Sequence, residues 1–231
     1  MKYLVLLLAT FFLVSCKSGS ENNAANDTGS DPTGSDLVDP DRKVGSADII
    51  IETSMGPIKV KLHHDIAPVT VENFLSYVDK QHYDDTIFHR VISNFMIQGG
   101  GFQMNNGVAK EKLTGKGIKN ESPQTQSNLR GTLSMARTGD PDSATAQFFI
   151  NVVNNDETGK VANLNYPNSA GHGYAVFGEV SEGMDVVDKI KEVKTHRTST
   201  LSLDAAERYT VGEFDDVPVD PVFIKSIRRA N

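Results

Sequence analysis

The chain of 231 residues contains a single cysteine, Cys16, and no tryptophan. A lone cysteine cannot form an internal disulfide, so its presence needs another explanation. The six histidines do not have the spacing of a shared metal site, and we therefore expect no metal site. The net charge of −7 and the lack of a basic stripe remove the electrostatic basis of nucleic-acid binding, so we expect no nucleic-acid partner.

The first residues have the pattern of a lipoprotein signal. Lys2 supplies a positive charge, and the apolar run of residues 3–14 is shorter than the roughly 18–20 residues of a membrane-spanning helix. Residues 13–16 (LVSC) resemble the bacterial lipoprotein signal, in which the cysteine is acylated and becomes the mature N-terminus. We predict a signal peptide over residues 1–15 and lipid attachment at Cys16. The alternative is an ordinary signal peptide that is cleaved nearby.

The predicted acylation implies a location. Two or three acyl chains hold a protein stably on a membrane surface, whereas one does not. We therefore expect a protein that is anchored to the membrane of the bacterial cell envelope, with its folded domain outside the cytoplasm. Lys17 follows Cys16, where no aspartate stands. This resembles the outer-membrane sorting pattern of some Gram-negative bacteria and favours the outer membrane over the inner one.

A polar segment separates the signal from the folded part of the chain. Residues 16–46 are rich in serine, glycine, asparagine and aspartate, and Leu37, Val38 and Val44 are their only large aliphatic residues. Such a segment cannot bury enough apolar surface to offset the entropy of ordering it, so it is predicted to be a flexible tether. Residues 47–231 then form one domain with one core, which we expect to be monomeric.

Strand patterns dominate this domain. Eight segments have them: residues 48–53, 57–62, 87–92, 95–99, 131–136, 147–152, 174–180 and 221–227. Helical spacing of apolar residues predicts one helix that begins at Pro68 and a second over residues 182–193. Residues 103–126 and 196–217 are predicted to be long polar connections. We therefore predict a mainly β fold, a closed eight-stranded antiparallel barrel capped by two α-helices.

Period-two alternation predicts a groove around Arg90. A charge between apolar runs is costly unless it has a partner or a task. Alternation places Arg90 on one face with Phe88 and Ile92. The neighbouring strands add polar and apolar side chains to the same surface: Met96, Gln98, Ala136, Gln147 and Phe149. This mixture is typical of a ligand groove. The alternative is an ordinary surface on which Arg90 pairs with a carboxylate.

Three sequence blocks resemble those of the cyclophilins, a family of peptidyl-prolyl cis-trans isomerases. Residues 88–92 (FHRVI) and 95–100 (FMIQGG) are similar to the first block. Residues 133–137 (LSMAR) and 143–151 (SATAQFFIN) are similar to the second in its bacterial form, and residues 174–180 (YAVFGEV) to the third. The resemblance covers about residues 49–229. Three ordered blocks at compatible spacing are far more specific than one short motif.

The resemblance implies a function and a set of site residues. Arg90 takes the position of the catalytic arginine, and no cofactor is implied. Proline-containing polypeptides are the implied partners. The residues at substrate-binding positions are Phe95, Met96, Gln98, Ala136, Arg137, Gln147, Phe149, Leu164 and Tyr174. The chain departs from the family in having no tryptophan, since Asn163 stands before Leu164 where many members have one.

Two functions follow as hypotheses. The first is a membrane-anchored folding catalyst that accelerates rotation about X-Pro bonds in envelope or secreted proteins. The second is a scaffold lipoprotein that binds proline peptides without catalysis. The presence of Arg90, Phe95 and Phe149 favours the enzyme.

Overall fold

The computed structural model describes residues 48–105, 108–158, 161–202 and 211–230, without the side chains of residues 199–202 and 211–213. The predicted signal peptide, the tether and Cys16 lie outside the described residues and stay predictions. Within these ranges no helix is long and apolar enough to cross a membrane.

Eleven strands and two helices follow one another in the described chain. In order they are β1 (Ile49–Thr53), β2 (Gly56–Leu62), α1 (Pro68–Asp79), β3 (Thr86–Ile92), β4 (Met96–Asn105), β5 (Val108–Glu111), β6 (Thr132–Met135), β7 (Phe148–Asn151), β8 (Val176–Glu182), α2 (Met184–Lys191), β9 (Thr195–Ser202), β10 (Val211–Pro218) and β11 (Val222–Arg229). All eight predicted strands and both predicted helices are present, with bounds that differ by a few residues.

Eight of the strands form a closed antiparallel barrel. Their order is β4-β3-β11-β1-β2-β8-β6-β7, and the additional pairing of β7 with β4 joins the two ends of the sheet. Closure leaves neither of these two strands as an unpaired edge. The predicted fold class is therefore confirmed.

The barrel interior is the main apolar core. Inward side chains of the strands, such as Ile51, Val60 and Ile150, are fully buried there. Helix α1 adds Phe74, whose ring lies 5.0 Å from that of Phe177 and 5.6 Å from that of Phe148. Each aromatic pair of this kind contributes about 0.5–1.5 kcal/mol beyond its buried area. Helix α2 packs Val186, Val187 and Ile190 against the same core.

A hairpin lies where the sequence predicted only polar connections. Strands β9 and β10 pair antiparallel. Strand β9 also pairs in parallel with β5, and β5 in turn pairs antiparallel with β4. The hairpin packs Phe214 and Val217 on a second, smaller apolar cluster with Ile87 and Phe102. The prediction of long polar connections over residues 103–126 and 196–217 is therefore wrong for β5, β9 and β10. The polar composition of β5, β9 and β10 shows no strand pattern in the sequence. These segments form strands because neighbouring strands supply their backbone hydrogen-bond partners.

We predict that Gly183 is required at the start of α2. Its φ angle is +92°, and a Cβ atom there would lie 2.6 Å from the carbonyl oxygen of Pro57. Gly183→Ala should lower the free energy of unfolding by about 1–3 kcal/mol, measured by urea denaturation. Gly139→Ala is the control, since no atom lies within 4 Å of a Cβ there, and it should change stability by less than about 0.5 kcal/mol. Equal effects of the two substitutions would contradict the prediction.

Candidate active site

A β-bulge in β3 turns Arg90 to the outer surface of the barrel. Phe88 pairs with Gly99 and Arg90 pairs with Gln98, so two residues of β3 oppose one residue of β4. As a result Phe88 faces the main core, while Arg90 and Ile92 lie outside it. The prediction that Arg90 shares a face with Phe88 is therefore wrong, and the prediction that it shares one with Ile92 is right.

Arg90 is half exposed, which corrects the interpretation of a buried charge. The exposed fraction of its side chain is 43%, and its Nε atom lies 4.0 Å from Oδ2 of Asp216, which is 39% exposed. An exposed ion pair of this length contributes only about 0–1 kcal/mol. Asp216 therefore keeps the guanidinium at this position without saturating its hydrogen-bond donors.

A cavity of about 110 Å³ opens beside Arg90. Nine of the residues predicted for the site line it: Arg90, Phe95, Met96, Gln98, Ala136, Arg137, Phe149, Leu164 and Tyr174. They come from β3, β4 and the segments around β6, β7 and β8, so closure of the barrel brings them together. We call this cavity the Arg90 pocket. The tenth residue, Gln147, lies next to it.

The floor of the Arg90 pocket is apolar. Met96, Phe149 and Leu164 are buried in one cluster, against which Phe95 packs. The Tyr174 ring meets that of Phe149 edge to face, with 5.7 Å between their centroids. Together these side chains form an apolar surface that suits a small saturated ring.

Arg137 forms one rim of the pocket. Its guanidinium carbon lies 4.3 Å above the centre of the Tyr174 ring, a cation–π contact. Its Nε donates to the carbonyl oxygen of Gly173 at 3.2 Å. Both contacts hold the arginine against the wall, away from the centre of the cavity.

A chain of hydrogen bonds forms the polar wall. Gln98 donates to Oε1 of Gln147 at 2.9 Å, and Gln147 donates to Oε1 of Glu111 at 3.2 Å. Burial raises the pKa of Glu111, and the hydrogen bond from Gln147 opposes that shift. The chain fixes the orientation of both amides. Sequence reasoning missed Glu111, because it lies on β5 in a segment predicted to be a connection.

His89 lies behind Arg90 and is neutral at pH 7. Its ring packs on Phe102, with centroids 4.6 Å apart. Burial lowers the pKa of His89 to about 3, and the charge of Arg90 adds to this effect. Arg90 is therefore the cation of this face of β3.

A buried polar network supports the pocket wall from behind, and its centre is Asn128. The Nδ2 of Asn128 donates to the carbonyl oxygens of Leu164 and Tyr174, each at 3.2 Å. Its Oδ1 accepts from Ser134 at 2.7 Å and from Asn151 at 3.2 Å. One amide thus joins two barrel strands to the two wall residues.

Asn155 extends this network to the other side of the pocket. Its Nδ2 donates to the carbonyl oxygen of Phe95 at 2.8 Å and to Oδ1 of Asn151 at 2.7 Å. Its backbone carbonyl accepts from the Leu164 amide at 2.7 Å. Sequence reasoning missed both asparagines, since an isolated polar residue in irregular chain resembles a surface residue. The contacts also fix the position of Leu164.

Comparison with protein families identifies the class. The model of the family described as cyclophilin type peptidyl-prolyl cis-trans isomerase/CLD matches residues 48–228, nearly the whole of the folded domain. The chain belongs to this family of enzymes. The family assignment predicted from the three sequence blocks is confirmed.

Relatives from bacteria agree with the assignment. The chain is 48% identical over 179 residues to peptidyl-prolyl cis-trans isomerase B of Escherichia coli, an alignment that covers 78% of this chain and 97% of the relative. It is 47% identical over 178 residues to a peptidyl-prolyl cis-trans isomerase of Acinetobacter baylyi, with 77% and 82% of the two chains covered.

A solved structure supports the fold. A cyclophilin type isomerase of Cryptosporidium parvum, crystallised in the presence of the dipeptide Ala-Pro, matches with a TM-score of 0.55 and 22% sequence identity. The match covers 80% of this chain and 99% of that one. At this identity the likeness concerns the architecture.

We predict that Asn128→Asp weakens the pocket wall although it preserves the shape of the side chain. An oxygen would replace the Nδ2 donor and face the carbonyl oxygens of Leu164 and Tyr174. The free energy of unfolding should fall by about 1–3 kcal/mol, because buried acceptors lose their donor. The KM for a proline peptide should rise more than kcat falls. Urea denaturation and peptide kinetics measure these effects.

Asn154→Asp is the matched control. Asn154 is exposed, and its Oδ1 only accepts a hydrogen bond from the Arg130 amide, which an aspartate also accepts. The control adds the same charge on an exposed side chain that takes no part in the network, although it lies next to Asn155 in the chain, and should leave KM within about twofold. An equally large KM increase in the control would show that the added charge, and not the network, raises KM.

Proposed function

We propose that the protein is a membrane-anchored folding catalyst that accelerates cis-trans rotation of X-Pro bonds in envelope or secreted proteins, with Arg90 as the catalytic residue. One observation carries the assignment of the site: a pocket with an apolar floor has the half-exposed guanidinium of Arg90 at its edge, where β3 meets β4. Family membership supports the reaction class.

The reaction requires no bond to be broken. The partial double bond of an amide gives a rotation barrier of about 18–20 kcal/mol, and uncatalysed X-Pro isomerisation takes tens of seconds or longer. Any interaction that is stronger in the twisted state than in the planar state lowers this barrier. Each ~1.4 kcal/mol of such preference accelerates rotation about tenfold.

Arg90 can supply this preference. In the twisted state the prolyl nitrogen regains its lone pair and becomes a hydrogen-bond acceptor, whereas in the planar state that pair is delocalised. A guanidinium that donates to the nitrogen, or to the carbonyl beside it, therefore stabilises the twisted state more than the planar one. The weak pairing with Asp216 leaves N–H groups of Arg90 available for this contact.

The pocket can hold the proline ring in place while the adjacent amide bond rotates. Phe95, Met96, Phe149 and Leu164 offer a surface for the pyrrolidine ring, whose burial contributes roughly 1.5–3 kcal/mol. If the ring is held, rotation must move the carbonyl that precedes it. The Gln98–Gln147 pair lies beside the ring site and offers polar groups to the substrate backbone. Because the pocket holds little of the substrate besides the ring, binding should be weak and should tolerate many substrate sequences.

The proposed location rests on the sequence alone. Acylation of Cys16 would place the enzyme on the membrane, and residues 17–46 would tether the domain at a distance from the surface. Such an arrangement gives a folding catalyst access to unfolded chains outside the cytoplasm.

We predict that Arg90→Ala lowers kcat/KM for a proline tetrapeptide by about 10–100-fold, because it removes a charged hydrogen bond worth about 1.5–3 kcal/mol. The loss should lie in kcat, since the interaction forms in the twisted state. NMR exchange spectroscopy on the full chain in detergent measures the rates. The melting temperature should stay near that of the wild type.

Arg229→Ala is the matched control. It removes an arginine of similar exposure, which pairs with Asp79 at the end of α1 and does not line the pocket, and should leave the rates within about twofold. If the wild-type chain fails to accelerate exchange, the scaffold hypothesis replaces the enzyme. If Arg90→Ala retains full activity, the role of Arg90 is wrong.

We predict that Cys16→Ala abolishes membrane attachment. Cells fed radiolabelled palmitate should label the wild-type chain in the membrane fraction, whereas the variant should carry no label and leave that fraction. Ser20→Ala, in the same segment, is the control and should behave as the wild type. Lys17→Asp should move the labelled protein from the outer to the inner membrane. A labelled Cys16→Ala variant would contradict the proposal.

A further inference from the structure

A second cavity, of about 210 Å³, adjoins the Arg90 pocket. Arg90 and Gln98 line both cavities, so they form the wall between them. Consecutive residues of an extended peptide are spaced about 3.3–3.6 Å apart. A residue next to a proline in the first cavity can therefore place its side chain in the second. The outer wall of the second cavity contains none of the site residues that the sequence predicted.

The hairpin of β9 and β10 supplies that wall. Phe214 and Asp215 of β10 line the cavity, opposite His89 and Phe102 of the barrel. The register of β10 with β9 shifts between Phe214 and Val217, so β10 carries an extra residue at this point. This irregular stretch lies against the bulge of β3 that presents Arg90. The hairpin thus meets the barrel at the catalytic residue.

The chemistry of the lining favours an uncharged apolar occupant. The accessible surface of the cavity is mainly apolar, and the Phe102 and Phe214 rings meet edge to face with centroids 6.2 Å apart. His89 is uncharged at pH 7, since burial lowers its pKa to about 3. Arg90 and Asp215 both line the cavity, and Asp216 lies 4.0 Å from Arg90. A basic side chain would approach Arg90, and an acidic one would approach the two aspartates.

We propose that this cavity, the hairpin subsite, binds the aliphatic or aromatic side chain of a residue that flanks the substrate proline. The inference rests on the proposed isomerase function of the adjoining pocket and adds a sequence preference to it. The β9–β10 hairpin is then the element that determines specificity. Phe214 contacts the flanking side chain, and the pair of Arg197 with Asp215, at 2.9 Å, holds the two strands of the hairpin together at the rim.

The test compares proline peptides that differ at one flanking position. Each peptide has alanine around the proline except at the position before or after it, which carries alanine, leucine, phenylalanine, lysine or aspartate. For the full wild-type chain, kcat/KM should be about tenfold higher with leucine or phenylalanine than with alanine at one of these positions, as is usual for filling an apolar pocket. Lysine and aspartate should give no such gain.

Phe214→Ala should reduce the ratio of the phenylalanine peptide to the alanine peptide to about twofold or less. Phe223→Ala is the matched control, because Phe223 packs on the same small cluster but does not line the cavity, and it should keep the ratio. Intermolecular NOEs between the peptide ring and the Phe102 and Phe214 rings report binding independently of rates. They should appear in the wild-type chain and in Phe223→Ala.

The outcomes separate the two proposals. If the wild-type chain does not accelerate exchange of the alanine peptide, the isomerase function fails. If it accelerates all peptides equally, or if Phe214→Ala keeps the full preference, the isomerase stands and the hairpin subsite is overturned. A preference for lysine or aspartate over leucine would also overturn the apolar assignment.

Discussion

The antiparallel pairing of β4 with β7 closes the barrel, and the Arg90 pocket depends on it. Ile97 pairs with Ile150, and both side chains are buried inside the barrel. The alternate residues of the same two strands point outward: Met96 opposite Asn151, and Gln98 opposite Phe149. The β4–β7 ladder therefore builds the core with its inward side chains and the pocket with its outward ones. A shift of its register by one residue would exchange the two sets of side chains.

The outward face of this ladder needs both apolar and polar support. Phe149 and Met96 become buried only because the segment around Leu164 folds over them. That segment is irregular, and the network of Asn128, Asn151 and Asn155 satisfies its backbone groups. The side-chain amides of Asn128 and Asn151 are paired on both their oxygen and nitrogen atoms, whereas Oδ1 of Asn155 is buried without a hydrogen-bond partner among the described residues. These bonds hold the pocket wall in place, although it contains little regular structure.

Alternation predicted the site well where strands are regular and failed where they are not. On β4, β6 and β7 it correctly separated Met96, Ala136 and Phe149 from the core. On β3 it misplaced Phe88, because a bulge inserts a residue and no local signal in the sequence marks it. The β9–β10 hairpin and Asn128 were missed for a related reason. The hairpin and Asn128 depend on partners that are far away in the chain. Local composition and the spacing of apolar residues give no information about such partners.

The two irregular strands define how Arg90 can work. A regular β3 would have paired Arg90 with a different residue of β4 and turned it toward the core, where an unpaired guanidinium is very costly. The bulge instead leaves it half exposed, with the loose partner Asp216 from an equally irregular part of β10. The pocket floor is held rigidly, whereas the cation is held weakly. This division suits a reaction in which one ring must stay fixed while the charge distribution of the adjacent amide changes.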